Sequence, residues 1–171
     1  MEAQKWYAIS WSWRVINEDI KKDVERTVKN ILNNWHGIVT WWALGVDYIA
    51  TKTVLRRWDP KTQLKIYLPI PLESFMEHYW KRALEWIITP WQADIIITQL
   101  KKVHELSPES IKDTTPYTEA TVESYYARNN QIIENAYQVH AFQVNDSQWT
   151  QDTIDKAMKM GKNVSVKKYS I

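Results

Sequence analysis

The chain has 171 residues, a formal net charge of +2 and no cysteine, with eleven tryptophans against only three glycines. A chain of this length is expected to form one domain with a substantial core, and its nearly balanced charge gives no indication of a general polyanion-binding surface. The lack of cysteine excludes disulfides, thiolate metal sites and a cysteine nucleophile. No signal-peptide segment or membrane-length apolar run is present, so we expect a cytoplasmic protein without a membrane partner.

The first part of the chain predicts strands that alternate with helices. Strands are expected at residues 5–10, 37–40 and 63–68, and helices at 17–33 and 43–57. The first helix has Asn17 as its N-cap, and one face carries the apolar residues Ile20, Val24, Val28, Ile31 and Leu32. This alternation favours a parallel sheet of the Rossmann type.

The rest of the chain is less regular at first and then returns to the same alternation. Helices are predicted at 72–85, 92–106, 119–135 and 150–160, and strands at 137–144 and 163–168. Residues 107–121 form a polar stretch. We therefore predict a single α/β domain over residues 1–171. Its fold is expected to be a three-layer Rossmann-like one, with a mainly parallel five-stranded sheet and a helical insertion at about 86–118, after the third strand.

Tryptophan occupies several turn positions at which glycine is the expected residue. Average usage would give about 12 glycines in a chain of this length. Residues 39–47 run from a strand into a helix through Trp41 and Trp42, and turns of this kind that hold phosphate use glycine. Glycine would also complete turns at Trp11, Trp35 and Trp149.

We hypothesise that the gene comes from a genome that decodes UGA as glycine and was translated here with UGA as tryptophan. The alternative is a genuinely tryptophan-rich protein. Trp6 and Trp13 are interpreted as true tryptophans. Four others remain unassigned: Trp58, Trp80, Trp86 and Trp91.

Candidate ligand-binding residues gather where the predicted strands end, because ligands of open parallel sheets bind at the carboxyl edge. They are Ser10, Trp11, Ser12, Arg14, Trp41, Trp42, Gly45, Asp47, Ser147, Trp149, Thr150 and Asp152. Hydroxyls, an arginine and two helix N-termini at one edge suit a phosphorylated ligand. The alternative for Ser147, Thr150 and Asp152 is that they only cap the last helix. The histidines show no metal-binding spacing, and no metal or cofactor is predicted.

Basic residues elsewhere have a simpler explanation. Glu77, His78, Lys81 and Arg82 share a predicted helix and could reach a phosphate, but a solvated amphipathic face accounts for them.

With glycine restored, the chain contains four segments in this order: S-x-S-W-R, G-G-A-L-G-V-D, Arg128-Asn129 and S-x-G-T-x-D-T-I. The same order is found in the SLOG superfamily, which the chain resembles over its first 55 and last 50 residues. This Rossmann-like group includes DNA-processing protein A, the LOG nucleotide phosphoribohydrolases and nucleotide-sensing domains. The resemblance implies phosphate binding by the glycine turns, Ser12 and Arg14, with Arg128 and Asn129 projecting toward the ligand. The chain departs from the pattern at Trp11, Trp41, Trp42 and Trp149, which are family glycines.

We expect the domain to bind a nucleotide or a related phosphorylated ligand. One alternative is an N-glycosidase similar to the LOG hydrolases, but Thr153 stands where their glutamate would fall, and Asp152 is a weak catalytic substitute. A second alternative is single-stranded DNA binding, as in DNA-processing protein A. The sequence leaves open whether the protein is catalytic and whether it forms a homo-oligomer.

Overall fold

The computed structural model describes residues 3–11, 16–113 and 115–171, with the backbone alone for Trp11. Six strands form one sheet in the order β4-β3-β2-β1-β5-β6, and every neighbouring pair is parallel. The strands are β1 (Trp6–Trp11), β2 (Gly37–Thr40), β3 (Leu64–Tyr67), β4 (Ile111–Lys112), β5 (Gln138–Val144) and β6 (Asn163–Tyr169). The predicted α/β class with a parallel sheet is confirmed.

The predicted number of strands, five, is wrong. The sixth strand is β4, which has two residues and lies in the stretch predicted to be polar and irregular. It pairs with β3 at the sheet edge, where Ile66 is opposite Ile111 and Tyr67 is opposite Lys112. A two-residue edge strand is defined by its backbone pairing and carries no periodic pattern, so sequence periodicity does not reveal it.

Seven α-helices occur in the described residues: α1 (Glu18–Asn33), α2 (Val46–Arg57), α3 (Pro60–Gln63), α4 (Leu72–Leu84), α5 (Pro90–Leu106), α6 (Val122–Asn135) and α7 (Gln148–Lys159). Asn17 is the N-cap of α1, as predicted, and its side chain accepts a hydrogen bond from the backbone N–H of Ile20 (2.9 Å). The helix α2 begins three residues later than expected, because Gly45 has φ 89° and is its N-cap. None of the described helices has the length and apolar character needed to cross a membrane.

Helices cover both faces of the sheet. One face packs on α1, α2 and α5 through a core that includes Ile9, Ile38 and Phe142, and α4 packs on α5. The other face packs on α6 and α7 through a smaller core that includes Ala8 and Val139. The segment 86–118, predicted as a helical insertion, contains α5 and β4. The single-domain organisation stays a prediction.

The order in which the chain adds strands to the sheet reverses between β1 and β5. From β1 the chain adds β2, β3 and β4 on one side, and then returns to add β5 and β6 on the other. In open α/β sheets a crevice forms outside the carboxyl ends of the strands at such a reversal, and ligands bind there. The fold thus places a crevice beside the ends of β1, β2 and β5.

One tryptophan has a clear structural role at the opposite edge of the sheet. The indole of Trp6 lies against Gly37, in the neighbouring strand β2, and the ammonium of Lys65 lies 3.8 Å from the centre of one of its rings. A Cβ atom at Gly37 would overlap the indole ring. The interpretation of Trp6 as a true tryptophan stays a prediction.

We expect Gly37→Ala to lower the free energy of unfolding by about 1–3 kcal/mol, the usual cost of overpacking a filled core. Urea denaturation gives the free energy of unfolding of Gly37→Ala, of Trp6→Leu and of the double variant that carries both substitutions. The alanine should cost less when the indole is absent, because the clash is then removed. Equal costs in both backgrounds would show that the ring does not limit this position.

Candidate functional site

A cavity of about 330 Å³ opens at the reversal of the sheet. It is lined by Ser10 at the end of β1, by residues of the turn after β2, and by side chains of α4, α6 and α7. The lining residues among those described are Ser10, Trp41, Trp42, Ala43, Tyr79, Arg82, Tyr125, Arg128 and Trp149. Five of them, namely Ser10, Trp41, Trp42, Arg128 and Trp149, are residues that the sequence predicted for the site.

The turn between β2 and α2 forms one wall and carries two buried indoles. Trp42 has φ 52°, in the left-handed region that favours glycine, and only 2% of its surface is exposed. Trp41 is also buried, and its indole Nε1 has no hydrogen-bond partner among the described residues. Such a buried unpaired donor costs about 1–3 kcal/mol. Tryptophan therefore fits poorly at both positions.

Arg128 supplies a buried positive charge to the cavity. Its Nη1 donates a hydrogen bond to the backbone carbonyl of Trp41 (2.6 Å), and its Nε donates to the side-chain oxygen of Asn129 (3.3 Å). Burial lowers the pKa of Arg128 to about 10, while the nearby Tyr125 and Asp47 act in the opposite direction. The guanidinium therefore remains protonated at neutral pH.

Aromatic rings surround this charge. The guanidinium carbon of Arg128 lies 4.9 Å from the centre of the Tyr125 ring, and the Tyr125 hydroxyl lies 3.2 Å from Nε2 of His78. Burial lowers the pKa of His78, and the neighbouring Arg82 lowers it further, so the imidazole is neutral at pH 7. Burial raises the pKa of Tyr79, whose hydroxyl stays protonated. The cavity is thus lined by the guanidinium groups of Arg128 and Arg82 and by aromatic rings, with the buried Asp47 close to Arg128.

The N-terminus of α7 forms the remaining wall. The Ser147 side chain caps the helix by accepting a hydrogen bond from the backbone N–H of Thr150 (3.4 Å). Trp149 lines the cavity and stacks on Tyr126, with ring centres 5.6 Å apart and planes at 27°. Thr150 is buried, whereas Asp152 is exposed on α7 and does not line the cavity. The structure therefore brings Trp149, and not Asp152, to the candidate site.

The other predicted residues fall around the cavity or outside the described part of the chain. Gly45 caps α2, Asp47 lies buried in its first turn, and Asn129 is buried beside Arg128. Trp11 ends β1 and is described by its backbone only. Ser12 and Arg14 lie outside the described residues.

Tyr79, Arg82 and Tyr125 were not predicted for the site. Tyr125 stands three residues before Arg128, on the same face of α6, so the helical period could have indicated it. Arg82 was assigned to a solvated helix face, yet it lines the cavity together with Tyr79, three residues earlier on α4.

Comparison with known proteins adds information about the fold. No protein-family model matches the chain, and no curated protein matches it. A solved structure of DNA processing protein A from Helicobacter pylori, described for its single-stranded DNA binding mode, is similar with a TM-score of 0.65 and 19% identity, over 95% of this chain and 64% of that one. DNA processing protein A from Streptococcus pneumoniae is similar with a TM-score of 0.53 and 15% identity, over 95% of this chain and 58% of that one.

At these identities the likeness concerns the fold, which is the Rossmann-like α/β fold of these two structures. The chain spans less than two thirds of the length of either protein.

Proposed function

We propose that this domain binds single-stranded DNA, with a nucleotide phosphate held in the cavity beside Arg128. The observation that carries the proposal is the buried, protonated guanidinium of Arg128, which lies in a cavity lined by aromatic rings. Proteins that bind single strands combine cations for the backbone with aromatic rings for the bases. The solved structure from Helicobacter pylori, described for its single-stranded DNA binding mode, has the same fold.

The charge needed for this role is local. The net charge of +2 gives no general attraction for DNA. Arg128 and Arg82 both line the cavity, however, and Lys156 lies nearby, with its Nζ 3.8 Å from the centre of the Tyr126 ring. A compact group of cations can hold one or two phosphates without an extended basic surface.

The UGA hypothesis makes positions 11, 35, 41, 42 and 149 glycine in the natural protein, and we further propose this for the four that were predicted for the site, 11, 41, 42 and 149. The left-handed backbone of Trp42 and the unpaired indole N–H of Trp41 support this, because glycine would remove both costs. The indoles of Trp41, Trp42 and Trp149 also form part of the cavity wall. Glycine at these positions would enlarge the cavity and expose the backbone N–H groups of the turn to a phosphate.

A free mononucleotide is the second candidate ligand. With the three indoles in place, the cavity volume of about 330 Å³ is already within the range for small-molecule pockets, roughly 300–1,000 Å³, so a mononucleotide is a reasonable candidate. The N-glycosidase alternative has less support. No carboxylate occurs among the described lining residues of the cavity. Asp152, the weak catalytic candidate, is exposed on α7 and does not line the cavity.

The variant with glycine at positions 11, 41, 42 and 149 should bind a fluorescent oligo-dT more tightly than the chain as written, as measured by anisotropy. Adding Arg82→Ala should weaken binding and reduce the salt slope by about one unit, because one phosphate contact is lost. The matched control is Arg57→Ala, an exposed arginine at the far end of α2. No binding of oligo-dT by the glycine variant, or equal effects of the two arginine substitutions, would contradict the proposal.

Competition distinguishes DNA from a free nucleotide, and product analysis distinguishes binding from hydrolysis. We expect the affinity of an oligonucleotide to exceed that of dTMP, and dTMP to compete only weakly, because a strand can place a second phosphate and further bases against the site. Chromatography should detect no free base after incubation with nucleoside monophosphates. Steady base release that is lost in Asp152→Ala would instead establish the N-glycosidase alternative.

A further inference from the structure

We propose that the Tyr126 ring is a stacking platform for one nucleobase, at a place that the Trp149 indole occupies in the chain as written. The inference rests on the proposed function and names the part of the ligand that Tyr126 contacts. It concerns a residue on α6 that does not itself line the cavity.

The geometry of the ring pair supports this role. The Trp149 indole stacks on Tyr126 with centres 5.6 Å apart and an interplanar angle of 27°, and it meets Tyr125 edge-on at 6.5 Å. Offset stacking at such distances is typical of aromatic pairs and of bases on aromatic side chains. An indole has about the size and shape of a purine, so its position marks a space that a purine would fill.

The surroundings of Tyr126 also suit one unit of a strand. Trp149 lines the cavity that contains Arg128 and Arg82, so a base on Tyr126 would lie next to the cations proposed to hold its phosphate. The Nζ of Lys156 lies 3.8 Å from the centre of the Tyr126 ring and adds a positive charge. Glycine at position 149 would leave the ring accessible while Ser147 still caps α7.

The experiment uses Trp149→Gly with an oligonucleotide that contains 2-aminopurine, whose fluorescence falls when it stacks. We expect Trp149→Gly to bind more tightly than the chain as written and to quench the probe. Adding Tyr126→Leu should weaken binding about 5- to 150-fold and abolish quenching, while Tyr126→Phe should retain both. The matched control is Tyr137→Leu, an exposed tyrosine at the amino edge of the sheet.

The outcomes separate this inference from the proposed function. If Trp149→Gly binds the oligonucleotide and Tyr126→Leu changes neither affinity nor quenching, the stacking platform is refuted and DNA binding stands. If Trp149→Gly and the full glycine variant both fail to bind, the proposed function fails and the platform fails with it.

We also infer, from independent observations, that position 86 is glycine in the natural protein. Three helices end with the same pair of backbone hydrogen bonds. Residues 35 and 36 donate to Leu32 and Ile31 after α1, residues 86 and 87 donate to Ala83 and Arg82 after α4, and residues 161 and 162 donate to Met158 and Ala157 after α7. This is the Schellman motif, which favours glycine at its left-handed position.

The residue at the left-handed position differs among the three helices. Gly161 occupies it after α7 with φ 71°, whereas Trp35 and Trp86 occupy it with φ 61° and 58°. Their indoles are 82% and 86% exposed, so packing does not compensate for the strained backbone. The other described non-glycine residues with positive φ are Trp42, in the turn before α2, and Asn145 and Asp146, which are types that tolerate this conformation.

Trypsin releases residues 83–101 as one peptide, because cleavage follows Arg82 and Lys101. We expect mass spectrometry of the protein isolated from its own cells to find glycine at position 86. In the recombinant chain, Trp86→Gly should raise the Tm by about 2–4 °C over Trp86→Ala. Trp80→Gly, inside α4, should lower the Tm instead. Tryptophan at position 86 in the native peptide, or no gain over Trp86→Ala, would overturn the inference.

Discussion

The hydrogen bond from Arg128 to the carbonyl oxygen of Trp41 connects the parts of the molecule on which the candidate site depends. It joins α6 to the turn after β2, across the place where the sheet reverses its growth. Because the guanidinium is buried, it needs this acceptor and the Asn129 side chain to offset lost hydration. The acceptor is a backbone atom. The bond therefore forms equally well with glycine at position 41, and the charge keeps its place whichever residue the natural protein carries.

The scarcity of glycine affects the turns far more than the sheet. Strand pairing and helix packing need no glycine apart from Gly37, where the Trp6 ring leaves no room for a side chain. Turns are different, since left-handed backbone is costly for a bulky residue. Trp35, Trp42 and Trp86 all adopt this backbone, and two of them end helices as Gly161 does. The surrounding helices and strands determine the backbone conformation of these turns. A left-handed conformation therefore indicates that the turn favours glycine.

Periodic parts of the chain could be predicted from the sequence, and non-periodic parts could not. The predicted face of α1 is buried at all five apolar positions, Ile20, Val24, Val28, Ile31 and Leu32, because helical spacing alone determines which residues face the core. The strand β4 was missed because two residues have no period, and the start of α2 was misplaced because Gly45 and not Ala43 ends the turn.

The candidate site was predicted in part from strand ends and in part, for Arg128, from the family resemblance, whereas Tyr79, Arg82 and Tyr125 were missed. Ser10, Trp41 and Trp42 follow from the rule that ligands bind at carboxyl edges, so they could be named from strand positions alone. Arg82 lies on α4, which packs on α5, and its local sequence fits a solvated helix face as well as a phosphate contact, so the position of α4 decides between the two.

The described lining combines cations, aromatic rings and backbone, without a carboxylate. Hydrolysis of an N-glycosidic bond needs a group that acts on the ribose or activates water. His78 contacts the Tyr125 hydroxyl, and the Glu85 carboxylate also acts on it electrostatically. Stacking and phosphate contacts need no such group. The cations and aromatic rings of the described cavity walls therefore suit the proposed retention of a nucleic-acid strand.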